Sequence, residues 1–99
     1  MSTSSNILEY LSANKSRMLQ DYHLTKIGLF GSIARDEADE SSDIDLIIEF
    51  KPGTKDIYSL KFKLKEEIQT KFDRPVDVCR LKYIKPFFKN QIQSEIKYV

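Results

Sequence analysis

Two carboxylates spaced two residues apart, Asp43 and Asp45, stand in the run Ser-Ser-Asp-Ile-Asp-Leu-Ile-Ile-Glu-Phe over positions 41–50. In an extended strand such residues point to the same face, with Cα atoms roughly 6.5–7 Å apart. Two acids so placed resist simultaneous ionisation when partly buried, and a divalent cation between them removes the conflict. Mg²⁺ suits this role because it takes hard oxygen ligands, one or two carboxylates completed by phosphate oxygens and waters. Two such ions roughly 3.5–4 Å apart clamp both the attacking and the leaving oxygen of a phosphoryl displacement. The alternation sends Ile44, Leu46 and Ile48 to the opposite face. Taken alone, D-x-D also suits a solvated strand start.

Upstream, Gly31-Ser32 closes the apolar run Leu24–Phe30. Glycine lets a backbone approach a phosphate closely, and the Ser32 hydroxyl with the free N–H groups of a helix start can donate to phosphate oxygens. The same dipeptide serves an ordinary strand-to-helix turn. Arg35 follows Ser32 by three residues, one helical turn along the same face. It suits bidentate phosphate binding and equally a surface pairing with the acids among Glu37–Glu40. Lys51, Lys55, Lys61, Lys63 and Lys65 read as the solvated side of a loop and helix, since Tyr58 and Phe62 alone do not make an aromatic platform for nucleic acid. Nothing basic lies beside Cys79 in sequence to make it a nucleophile.

These groups need elements to hold them. Asn6-Ile-Leu-Glu9 has the form of a capping box, and Ile7, Leu8, Leu11, Met18 and Leu19 keep helical spacing, which predicts a helix from about Ile7 to Tyr22. His23 then caps that helix or is solvated. Leu24–Phe30 predicts a strand, Ser32–Asp39 a short helix capped by Ser32, and Asp43–Phe50 the strongest strand, closed by Lys51-Pro52-Gly53. Asp56 can cap a long helix to about Phe72, burying Ile57, Leu60, Leu64 and Ile68. Pro75 biases Arg74 away from helical angles and ends it. A third strand follows from Val76 to Leu81. Pro86 fits the first turn of a last helix with Phe88, Ile92 and Ile96 on its apolar face. The order α-β-α-β-α-β-α implies a small mixed sheet covered by helices.

The 99 residues make one domain spanning positions 1–99. With 40% hydrophobic and 11% aromatic residues the chain is globular rather than disordered. The net charge of +1 hides an asymmetry. Residues 1–50 hold four basic and nine acidic side chains, and residues 51–99 hold twelve and six. That suggests a cation site in the first half and an anionic ligand or partner surface in the second. One cysteine excludes an internal disulfide, and with one histidine it cannot build a zinc finger. No apolar run approaches the roughly 20 residues that span a bilayer, and the polar start lacks a signal-peptide core. A reducing cytoplasm is the expected setting, with no membrane partner and no direct nucleic-acid binding.

Together the motifs are specific. Gly31-Ser32, ten residues, then Asp43-x-Asp45 resembles the GSx10DxD signature of the DNA polymerase β-like nucleotidyltransferase superfamily. Ala34-Arg35 and Glu37-Ala38 are similar to the "ARGEA" stretch of its smallest members, the minimal nucleotidyltransferases (MNT), which include MntA-type antitoxin partners of HEPN toxins. Asp36 stands where those members usually carry glycine. The resemblance runs from about Leu24 to the C-terminal Ile-Gln-Ser-Glu-Ile-Lys-Tyr-Val. It implies an α+β (α/β) fold like the polymerase β palm. It also implies a third carboxylate on a later strand, which Asp77 between Val76 and Val78 supplies. An isolated buried acid there needs a cation or hydrogen bonds. By the same resemblance, Asp43, Asp45 and Asp77 hold two Mg²⁺ ions, Asp77 helps deprotonate the acceptor, and Gly31, Ser32 and Arg35 bind the nucleotide. The implied reaction moves AMP from ATP to a hydroxyl, and the implied partner is a HEPN toxin modified on tyrosine. Two alternatives stay open: an antitoxin that acts by binding alone, and a transferase acting on a small molecule or an RNA end.

Overall fold

A computed structural model describes residues 3–39, 41–84 and 86–99. Its centre is a four-stranded sheet built from β1 (Leu24–Phe30), β2 (Ile44–Phe50), β3 (Val76–Arg80) and β4 (Lys97–Tyr98), in the order β3-β2-β1-β4. β1 is antiparallel to both β2 and β4, whereas β2 and β3 run parallel. The parallel pair is joined by the long helix α4 (Ile57–Phe72), as parallel strands require a crossover.

One face of the sheet carries the core. Ile44, Leu46 and Ile48 of β2 are fully buried with Val76 and Val78 of β3. They pack among Ile7 and Leu11 of α1 (Thr3–Ala13), Met18 of α2 (Lys15–Asp21), and Leu64 and Ile68 of α4. A register shift between Leu24 and Lys26 allows Leu24 and Ile27, at odd spacing, both to be buried in this core. On the other face, Gly28 leaves room for the chain's end. A Cβ there would lie 2.9 Å from Ile96, 3.0 Å from Tyr98 and 3.2 Å from Ile47. Ile96, the residue after α5 (Pro86–Glu95), and Tyr98 of β4 therefore lie on this face beside Gly28 and Ile47.

The expected α+β arrangement is present, with local departures. The first helix begins at Thr3, which puts Asn6 inside it and removes the capping box. It breaks at Asn14, whose side-chain amide donates to the Tyr10 carbonyl (2.9 Å) in competition with the backbone ladder. The short helix α3 is Gly31–Ala34, and Ser32 does not cap it. Asp36 ends that turn with φ 58°, the left-handed region that glycine enters most readily. Asp56 precedes α4 with left-handed angles and no side-chain cap bond. α4 closes on Asp73, also left-handed, whose N–H donates to Gln69 (2.8 Å). Ile57 and Leu60 are half-buried against the core, as expected. β4 is an added strand, and the side chain of Phe88 lies outside the described residues.

Candidate active site

The acidic groups gather where the N-terminal ends of β2 and β3 meet the C-terminal end of β1. Asp45 lies opposite Phe30 on one side and opposite Asp77 on the other. One rung of the sheet thus brings together residues 30, 45 and 77, and Gly31 is the next residue along. Gly31 has φ +78°, and a Cβ on it would lie 2.3 Å from Asp45 Oδ2. The Asp45 carboxylate is packed over the glycine backbone, in space that a side chain would fill.

Asp45 is half-buried, while Asp43 is exposed and so, against the burial expected of it, is Asp77: strand alternation turns Val76 and Val78 to the core and Asp77 away from it. Burial pushes the Asp45 carboxyl above the usual carboxylate range, the charges of Asp77 and Asp43 push it further, and Arg35 pulls it back. The charges of Asp77 and Asp43 thus both reach Asp45. Cys79 shares the face of Asp77, its Sγ 3.8 Å from Asp77 Oδ2. Burial and the charges of Asp77 and Asp45 raise its thiol pKa, against a nucleophilic role.

The donor set suits a hard divalent cation: carboxylate oxygens, with Asp45 under the charge of its two acidic neighbours. Among the described residues, no group of three or more acidic, histidine or cysteine side chains is placed to hold a metal ion. A Mg²⁺ ion there would rest on one or two carboxylates, completed by water and substrate phosphate oxygens.

Arg35 reaches the rim but is engaged. Its Nε donates to Glu37 Oε2 (3.0 Å) and its Nη1 to Glu95 Oε2 (3.1 Å). The surface pairing is thus formed with Glu37, and Glu95 joins it from α5. Glu40 lies outside the described residues. Asp36 is held by Ser4 Oγ, which donates to Oδ1 (2.6 Å), and by Lys97 Nζ at 3.8 Å. Its carboxylate ties α3 to α1 and β4.

Arg74 is a positioning residue that sequence reasoning missed. Its Nη1 donates to the carbonyls of Asp39 and Ser42, both at 2.9 Å. Ile44 N–H donates to the Pro75 carbonyl (2.9 Å). The segment entering β3 thereby clamps the loop that carries Asp43. Asp39 folds the same loop by accepting from Ser41 N–H (2.9 Å) and Ser41 Oγ (2.7 Å). Ser41-Ser42 is turn chemistry that the sequence displays, whereas a side chain clamping main-chain carbonyls 32 and 35 residues away has no sequence period.

The nucleotidyltransferase domain family model matches residues 7–99. A Methanocaldococcus jannaschii protein, provisionally named a protein adenylyltransferase, is 35% identical over 100% of both chains. A solved structure provisionally described as a minimal nucleotidyltransferase superposes with TM-score 0.78 at 25% identity, covering 98% of this chain and 95% of the other. A toxin–antitoxin structure with AMP-PNP superposes with TM-score 0.66 at 23% identity, covering 87% of this chain and 69% of the other, and so bears on the fold.

Proposed function

Starting from the fact that this chain belongs to the nucleotidyltransferase domain family and is a nucleotidyltransferase, we propose that it transfers AMP from ATP to a hydroxyl of a partner protein. The partner is a HEPN toxin modified on tyrosine, so the chain acts as its antitoxin. The observation that carries this reading is the packing of the Asp45 carboxylate against Gly31, in register with Asp77. It sets Asp45, whose carboxyl is raised by burial and by neighbouring acids, beside the Gly31-Ser32 turn and next to Asp77. The similarity to a protein provisionally named an adenylyltransferase supports the choice of AMP and a protein acceptor.

ATP lies with its β- and γ-phosphates against Gly31 and the Ser32 hydroxyl. Asp43, Asp45 and Asp77 would hold Mg²⁺, which would neutralise phosphate charge and raise the electrophilicity of the α-phosphorus. Asp77 accepts the proton of the acceptor hydroxyl. The acceptor oxygen forms a bond to the α-phosphorus, and the bond from that phosphorus to the bridging oxygen breaks. Pyrophosphate leaves, and the product is an AMP ester. Arg35 exchanges Glu37 or Glu95 for a phosphate oxygen. Catalysis on this account is mostly positioning and charge neutralisation.

Intact-mass measurement of the partner tests the reaction. Incubation with the chain, ATP and Mg²⁺ adds the mass of one or more AMP units. An unchanged partner mass under those conditions overturns the reading.

A further inference from the structure

Beside Asp77 the surface changes character. A groove section of about 250 Å³ lies between α4 and β3, lined by Tyr58, Lys61, Phe62, Lys65, Asp77 and Val78. It shares Tyr58 and Lys61 with a second section that takes in Cys79, Arg80 and Tyr83. The groove therefore runs along β3, starting at one of the site acids. Three of the four exposed large hydrophobic side chains among the described residues line it: Tyr58 at 92% exposure, Tyr83 at 68% and Phe62 at 63%. No ion pair among the described residues engages Lys61 or Lys65, and the positive charge of Lys61 reaches Cys79.

We infer that this groove is the docking site for the acceptor segment: an acidic, extended stretch of the partner protein that carries its hydroxyl residue to Asp77. The inference rests on the protein-acceptor reading above and deepens it by naming the surface and the chemistry of the segment. Charge complementarity selects an acidic segment, because lysines flank the aromatics. Position favours a polypeptide. β3 is the edge strand of the sheet, and extended peptides are the ligands that sheet edges accept. Exposed aromatic rings on a helix supply the anchors for apolar side chains of such a segment. A segment lying there passes the one site acid that lines the groove, so its hydroxyl meets the group assigned to take the proton.

The test uses a copolymer of glutamate and tyrosine as probe, with a copolymer of lysine and tyrosine and an oligoadenylate RNA as controls. Anisotropy of fluorescently labelled probes reads binding without ATP. The glutamate–tyrosine copolymer binds the wild-type chain and weakens with salt, and the lysine copolymer does not bind. Tyr58→Ala with Phe62→Ala, or Lys61→Glu with Lys65→Glu, weakens binding at least tenfold while ATP–Mg²⁺ affinity stays unchanged. These side chains are largely on the surface, and circular dichroism checks that the variants fold. Absent acidic-copolymer binding, binding unaffected by both double variants, or oligoadenylate competing for the same residues overturns the inference. Asp45→Asn separates the two proposals: it retains copolymer binding and loses AMP transfer. Copolymer binding without AMP transfer by the wild-type chain would count against the reaction and leave the groove assignment standing.

Discussion

Gly31 and the Asp45 carboxylate compete for a volume that holds only one side chain. Gly31→Ala must displace an acid from 2.3 Å and also strain a backbone at φ +78°. It is expected to lower transfer at least 100-fold, equivalent to about 2.7 kcal/mol of barrier, and to destabilise the fold by about 1 kcal/mol or more, read by steady-state kinetics and urea unfolding. Asp45→Asn acts oppositely on stability. The native Asp45 carboxyl is held above its ordinary range by burial and by Asp77 and Asp43. The folded state therefore favours the protonated acid. The stability linked to that proton is intact below the ordinary aspartate value of about 3.9 and is lost as pH rises through the raised native one. The variant is expected to melt above the wild type at pH 7, with the gap closing near pH 3. A lower melting temperature at pH 7 would contradict this. The Gly-Ser and D-x-D pairs were legible because their spacing sets their chemistry. Asp36 was legible only as a departure, and its φ of 58° supplies the backbone reason for the usual glycine. Arg74 was not legible, since its two carbonyl partners come from a loop whose path only the fold defines.

At the level of elements, a polar knot joins the first two helices to α4. Arg17 forks onto Glu67, with Nη2–Oε2 at 2.6 Å and Nη1–Oε1 at 3.2 Å. Tyr10 donates to Glu67 Oε2 (2.7 Å), and Tyr22 donates to Oε1. Burial opposes ionisation of Glu67, yet hydrogen bonds from Arg17, Tyr22 and Tyr10 hold its carboxyl below the usual range. Burial and the bond to Glu67 push the Tyr22 hydroxyl up to about 12. Glu67→Ala strands these donors and is expected to cost about 2–3 kcal/mol at pH 7 by urea unfolding. Because the native value is depressed, this contribution is intact above the ordinary glutamate value of about 4.3 and is lost as pH falls through the native one. The difference between wild type and variant should close in acid. On the opposite face, Gly28→Val forces a branched side chain against Ile96, Tyr98 and Ile47. A cost of about 1–3 kcal/mol is expected, with faster hydrogen exchange at Val99, whose N–H donates to Ile27 (3.2 Å). The strands of seven and five residues showed in the sequence through alternation and apolar content. The two-residue β4 is too short for either signal. The break at Asn14 was hidden because the apolar stripe continues across it and the competing amide bond leaves the period unchanged.

Across the whole molecule, the acidic half of the chain supplies Asp43 and Asp45, while the lysine-rich half supplies α4 and the edge strand with Asp77. The sheet joins these halves by pairing β2 with β3, so acids 32 residues apart become neighbours. Sequence charge showed the asymmetry, but only the crossover geometry shows that the basic groove opens beside the site acids. Among the described residues no helix is long and apolar enough to cross a membrane. Calorimetry of ATP binding, with and without Mg²⁺, in the wild type and in Asp45→Asn tests most directly whether the carboxylates work through a cation. The wild type is expected to bind ATP measurably only with Mg²⁺, and Asp45→Asn to lose that binding. Equal ATP affinity without the metal, or undiminished Mg²⁺-dependent affinity in the variant, would contradict this.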